Sequence, residues 1–284
     1  MSNWPDWLPL RETLRPLTPY GAPQVPASAR LNTNENPYGP SKDLAKAIAE
    51  RIGEVAQNLN RYPDRDATTL RLQLAQYLNS ENKLNDVALK IENIWAANGS
   101  NEILQSVFLA FGSAKALGFV PSYSMHPLIG KVAGVEWVEG ARQSDFKLDL
   151  PSALVQIAEL KPALTFITTP NNPTGSAVNL AEIAALASAT SKIKGLLVVD
   201  EAYAEFSTEP SAINLLSRYK NLIVSRTMSK AFAFAGVRLG YMAAAPEIIS
   251  ALQLVRLPYH LSTLTQAAAE VALEFSDELS LIHI

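Results

Sequence analysis

The chain contains no cysteine, which excludes disulfides, thiolate-held zinc and a cysteine nucleophile. Histidine is nearly as scarce: His126, His260 and His283 lie far apart and show no metal-ligand spacing, so no metal site is expected. An excess of positive charge is missing too. The 24 Lys and Arg stand against 27 Asp and Glu, a formal net charge of -3. That balance offers no electrostatic footprint for nucleic acid, and no block of Lys and Arg marks an anionic membrane surface. Apolar runs such as Leu196 to Val199 are far too short to span a bilayer. The first residues, Met1 to Trp7, lack the basic stretch and apolar run of a secretory signal, which leaves the cytoplasm as the expected compartment. Neither a Gly-x-x-x-x-Gly-Lys-Ser/Thr phosphate loop nor a Gly-x-Gly-x-x-Gly dinucleotide fingerprint occurs.

What is present is material for a core. Of the 284 residues, 48% are hydrophobic and 18% charged, enough for one large domain with or without a smaller lobe. Residues 1–40 are rich in Pro, Asn and Gly and carry no sustained period. Prolines at 5, 9, 16, 19 and 23 argue against a helix, so this stretch reads as an extended arm. Ser41 is a candidate N-cap for a helix over about 42–57. Helical spacing recurs from Thr69 to Asn79, from Glu102 to Phe111, and at 151–159, 179–190 and 247–256. Strand candidates are Ile94–Ala97, Leu117–Val120, Val135–Val138, Leu164–Thr168, Leu196–Val199 and Leu222–Val224. Continuous apolar runs suit strands buried on both faces, and the alternation with helices predicts an α/β fold with a mostly parallel central sheet.

In such sheets ligands sit beyond the carboxyl ends of the strands. The loops after Ala97, Val120, Thr168, Val199 and Val224 are therefore where a site is sought. The first, Asn98-Gly99-Ser100-Asn101, opens into a helix and would offer free N–H groups to a phosphate, although Ser100 or Asn101 could equally serve as a cap. Tyr123 after the second strand could stack on a planar ring or simply pack. Thr169-Pro170-Asn171-Asn172-Pro173-Thr174-Gly175 is more specific, because two prolines would hold Asn172 where it can donate to a ligand oxygen. Asp200 and Glu201 end a buried strand; without a phosphate loop to make them a magnesium site, Asp200 needs another cation, and a protonated pyridine nitrogen would serve. Lys230 lies among Met228, Ala231, Phe232, Ala233 and Phe234. An apolar setting depresses a lysine and prepares a Schiff-base nucleophile, the plain alternative being a surface lysine. Thr227, Ser229 and Arg238 around it could all reach a phosphate.

Taken together, Asn-Asn-Pro-Thr-Gly, Asp-Glu-Ala-Tyr and Ser-Lys-Ala-Phe-x-x-Ala-Gly-x-Arg resemble the fold-type I pyridoxal-phosphate enzymes, the aspartate aminotransferase superfamily, from Leu31 to about Gln266. That resemblance implies a Schiff base at Lys230, which also shuttles the proton, and Asp200 on the pyridinium nitrogen. It places Asn172 and Tyr203 on the phenolate oxygen, Tyr123 on the ring face, and Ser100, Asn101, Thr227, Ser229 and Arg238 on the phosphate. Tyr62, in Arg61-Tyr62-Pro63-Asp64, resembles the tyrosine that reaches a neighbouring subunit's cofactor, which implies a homodimer. Leu31-Asn32-x-Asn34-Glu35-Asn36-Pro37 after Arg15-Pro16-x-x-Pro19-Tyr20 is most similar to the histidinol-phosphate aminotransferase family. Its reaction moves an amino group between L-histidinol phosphate and 2-oxoglutarate in histidine biosynthesis, with Tyr20 and Asn34 at the substrate. Aromatic amino-acid transamination, threonine-phosphate decarboxylation and a silent cofactor-binding fragment are the competing readings. The family division predicts an arm (1–40), a large cofactor domain (41–256) and the start of a small C-terminal domain (257–284). That domain supplies a carboxylate-binding arginine; no arginine follows Arg256, so a C-terminally truncated chain is expected.

Overall fold

The computed structural model describes residues 4–24, 26, 32–84 and 87–278. Seven strands form one sheet: β1 (Ile94–Ala97), β2 (Lys115–Val120), β3 (Glu136–Ala141), β4 (Leu164–Thr168), β5 (Leu196–Asp200), β6 (Leu222–Thr227) and β7 (Gly240–Ala244), in the order β1-β7-β6-β5-β4-β2-β3. Every pairing is parallel except those of β7, which runs antiparallel between β1 and β6. The carboxyl ends of β1 to β6 therefore share one edge of the sheet.

Helices α1 (Lys42–Ala56), α2 (Thr68–Glu81), α3 (Ser100–Phe111), α4 (Met125–Ala133), α5 (Leu150–Leu160), α6 (Leu180–Lys192), α7 (Pro246–Leu252) and α8 (Thr263–Glu274) cover its two faces. Parity along the strands sorts the core. Leu197 and Val199 join Leu70, Leu74, Ile157, Ile183 and Ala269 on one side. Val198 joins Phe108, Phe166, Ile223, Met242 and Leu252 on the other. Each of the larger of these side chains, fully buried, contributes roughly 1.5–3 kcal/mol. Burial on both faces is why β5 shows no alternation in sequence.

Three elements escape the periodicity argument. α4 contains Pro127, but that proline falls in the first turn, where its missing N–H costs nothing. β7 reads Gly-Tyr-Met-Ala-Ala, poor in β-branched residues, yet is wholly buried between two strands. α8 begins at Ser262, whose hydroxyl accepts from the Thr265 amide. It lies beyond the boundary expected at 256, but packs on α1 and α2 and puts Ala268, Ala269 and Ala272 into the same core. The helix expected over 247–256 ends earlier, at Leu252. No helix is found between residues 4 and 24.

Candidate active site

The carboxyl edge of the sheet holds a cavity of about 750 Å³. Of the residues singled out in the sequence, Ser100, Asn101, Tyr123, Asn172, Asp200 and Tyr203 line it, together with Thr227, Ser229, Lys230, Arg238, Tyr20 and Asn34. Tyr62 does not. It lies on the loop between α1 and α2, exposed, with its ring stacked on Tyr259 at 4.5 Å.

The polar groups are segregated. At one end stands the amino terminus of α3. Its N-cap is Gly99, at φ +82°, with no side-chain cap, so Ser100 and Asn101 are first-turn residues rather than caps. A methyl group at Gly99 would meet the Arg238 guanidinium at 2.6 Å, and one at Gly240 would run into the Ser100 amide. Two glycines thus let the helix start, Arg238 and the head of β7 close up. Thr227 Oγ donates to Ser229 Oγ at 3.0 Å on the same side. Helix N–H groups, two hydroxyls and a guanidinium form a corner suited to a phosphate-sized anion.

At the other end Asp200 terminates β5, 2% exposed. Its Oδ2 lies 2.9 Å from His126 Nε2 and its Oδ1 accepts from the Ala202 amide at 3.2 Å. His126 is the residue the sequence reading passed over. It is buried, set edge-on to Tyr123 (5.4 Å between centroids) and flanked by Phe166. The only linear hint was its place six residues after the β2 strand end, in a helix whose proline disguised it. Burial, and secondarily Asp200, push the Tyr123 hydroxyl up to about 12, so it stays protonated and donates to Asn101 Oδ1 at 3.3 Å.

Between the two ends lies Lys230. Its Nζ donates to the carbonyls of Thr33 (2.8 Å) and Asn34 (3.0 Å) in the arm and sits 5.7 Å from the centre of the Tyr203 ring. Burial lowers its ammonium below the ordinary lysine range, and Arg238 works in the same direction against Glu35. Tyr203 Oη accepts from Asn34 Nδ2 at 3.0 Å. Asn36 Nδ2 donates to the Lys230 carbonyl at 3.3 Å, so the arm is tied to the lysine loop on both sides.

The Asn-Asn pair divides its labour. Asn171 is structural: its amide donates to the Pro121 carbonyl (3.0 Å) and Thr174 Oγ (2.8 Å), and its Oδ1 accepts from Ser122. Asn172, held by that framework, faces the cavity. An anion corner, a buried carboxylate opposite it, flanking aromatic rings and a depressed amine between them suit a flat cation-bearing heteroaromatic that carries a phosphate and reacts with an amine.

A seven-stranded α/β sheet with this site is the architecture of aminotransferases, and the chain belongs to the aminotransferase class I and II family, whose pattern it matches over residues 28–281. Its relatives narrow the class. It is 56% identical over 278 residues to a histidinol-phosphate aminotransferase of Thermobifida fusca, covering 96% of this chain and 73% of that protein. A histidinol-phosphate aminotransferase of Nocardia farcinica is 57% identical over 276 residues, covering 96% and 70%. Among solved structures, the histidinol-phosphate aminotransferase of Sinorhizobium meliloti in complex with pyridoxal-5'-phosphate superposes with a TM-score of 0.77 at 27% identity. That match spans 88% of this chain and 65% of the other.

Proposed function

We propose that the chain transfers an amino group between L-histidinol phosphate and 2-oxoglutarate, using pyridoxal 5'-phosphate held at Lys230. The observation that carries this reading is the single cavity in which Lys230, Asp200, Tyr203 and the α3 anion corner converge. Pyridoxal phosphate, when bound, supplies the electron sink on which amino transfer depends.

The chain's own residues do the rest. Ser100, Asn101, Thr227, Ser229 and Arg238 would hold the phosphate. Asp200, pinned by His126, would keep a proton on the ring nitrogen. Asn172 and the Tyr203 hydroxyl would donate to the ring oxygen, and Tyr123 would cover one ring face. Lys230 Nζ, with a depressed proton affinity, is suited both to attack a carbonyl carbon and to carry a proton between the two carbons that flank the transferred nitrogen. Thr33 and Asn34 carbonyls hold that ammonium when no aldehyde engages it. Tyr20 and Asn34, on the arm's side of the cavity, would meet the substrate. We further read the protein as a cytoplasmic homodimer in which the exposed Tyr62 reaches the partner's site. Among the described residues no helix is long and apolar enough to cross a membrane.

The visible spectrum tests the cofactor assignment. The purified chain should be yellow with a pH-sensitive band, and Lys230→Ala should lack it; a colourless parent protein would overturn the assignment. Turnover of histidinol phosphate should exceed that of phenylalanine, and the reverse preference would replace the substrate with an aromatic amino acid.

A further inference from the structure

Behind the cavity lies a second polar centre that the chemistry above does not use. Arg226, on β6, has a side chain only 1% exposed, and its guanidinium holds the carboxyl groups of three glutamates. Nε donates to Glu201 Oε2 at 3.1 Å, while Nη1 donates to Glu81, at the end of α2, at 2.8 and 3.0 Å and to Glu205 at 3.3 Å. Glu201 is anchored again by Ser211 Oγ and the Ala212 amide, both at 2.7 Å. Desolvating the buried Arg226 and Glu201 charges costs about as much as their attraction returns, so stability alone explains such a cluster poorly. Its placement explains it better. Glu201 and Glu205 lie two residues to either side of Tyr203, and Arg226 directly precedes Thr227 and stands four residues before Lys230. One guanidinium thus grips both flanks of the tyrosine and the strand that launches the lysine.

We propose that Arg226 is the positioning residue of this site, its grip on Glu201 and Glu205 setting where Tyr203 stands relative to Lys230. The proposal rests on the roles given to Tyr203 and Lys230 under the proposed function. Glu205 is the responsive arm of the grip. Its side chain is 7% exposed, and its Oε2 is buried without a hydrogen-bond partner. It is faced by Arg226 from β6, Glu81 and Tyr77 from α2, Glu201 after β5 and Tyr241 from β7. Burial pushes its carboxyl up to about 7, against the pull of Arg226. Below that pH Glu205 is neutral. Above it Glu205 is a carboxylate, drawn harder to Arg226 but repelled by Glu81 and Glu201 and left with no donor for its second oxygen, so the set of the Tyr203 loop changes with its charge.

The test compares the full chain, loaded with pyridoxal phosphate, with Arg226→Gln and Glu205→Gln, using histidinol phosphate as donor. Arg226→Gln should still take up the cofactor but lose kcat on the order of a hundredfold, with KM little changed. Glu205→Gln keeps the neutral shape at every pH, so it should lack the inflection near 7 that the parent shows in kcat and in cofactor absorption. Without cofactor, the parent should lose melting temperature relative to Glu205→Gln as pH rises. A carboxyl whose folded value lies above its model value of 4.5 takes up a proton on folding, so its contribution fades on passing up through about 7. A folded, loaded Arg226→Gln with parental kcat, or a Glu205→Gln that tracks the parent across pH, overturns the proposal. Should Arg226→Gln fail to fold, Glu205→Gln decides alone. A parent that takes up no cofactor sinks the cofactor assignment and this proposal with it, whereas a coloured parent with unresponsive variants sinks this proposal only.

Discussion

Gly99 occupies a backbone region, φ +82° and ψ 163°, that is nearly closed to residues with a Cβ, and the space such a Cβ would fill belongs to Arg238. Gly99→Ala should therefore cost about 1–3 kcal/mol of stability. It should also weaken pyridoxal-phosphate binding by displacing the guanidinium. Urea denaturation and a cofactor titration read the two effects separately. Lys230 gives the other prediction at this scale. Burial and then Arg238 lower its proton affinity, so the neutral, reactive amine is available at lower pH than for an ordinary lysine. Cofactor uptake by the empty chain should rise with pH around a midpoint below the ordinary lysine range. Arg238→Gln removes one of the two causes and should move that midpoint upward, as followed by absorbance.

At the scale of elements, the segment after β4 shows what holds the site in register. Asn171 ties this loop to the loop after β2 through the Pro121 carbonyl and Ser122. Asn171→Ala removes the hydrogen bonds of a buried side chain to the Pro121 carbonyl, Ser122 and Thr174 and should cost roughly 1–3 kcal/mol, with a loss of kcat because Asn172 is no longer fixed. Thermal melting and steady-state rates check both. Much of this was legible in the sequence. The loops carrying Lys230, Asp200 and Asn172 announce themselves because proline, glycine, hydroxyl and charge crowd into a few consecutive positions, and strands such as Leu196–Asp200 because burial on both faces leaves a continuous apolar run. What could not be read is what depends on partners distant in the chain. His126 gains its meaning from Asp200, 74 residues away, and Glu81 from Arg226, 145 residues away. Neither pairing leaves a trace in local periodicity. The Asn-Asn pair could not be apportioned for the same reason, since only the β2 loop decides which amide turns inward.

At the scale of the whole molecule, the exposed stack of Tyr62 on Tyr259 is the natural place to test a shared site. If Tyr62 serves the partner's cavity, Lys230→Ala and Tyr62→Ala chains, each weak alone, should recover activity on mixing. Random pairing of the two leaves about a quarter of the sites intact, because one site in each hybrid dimer receives both native residues. No recovery in hybrids shown to form by native mass spectrometry would confine Tyr62 to its own subunit.

The antiparallel insertion of β7 has a consequence for the order in which the site comes into being. Because Thr227 pairs with Gly240, the intervening twelve residues, Lys230 among them, close as a hairpin-like loop. Contacts so near in sequence form early and cheaply. Asp200 and Tyr123 reach that loop only through parallel pairing of distant strands, which closes long loops and comes late. The amine is thus in place before the cradle that will hold a ring around it, and a refolding chain should regain the lysine loop well ahead of its capacity to bind the cofactor tightly.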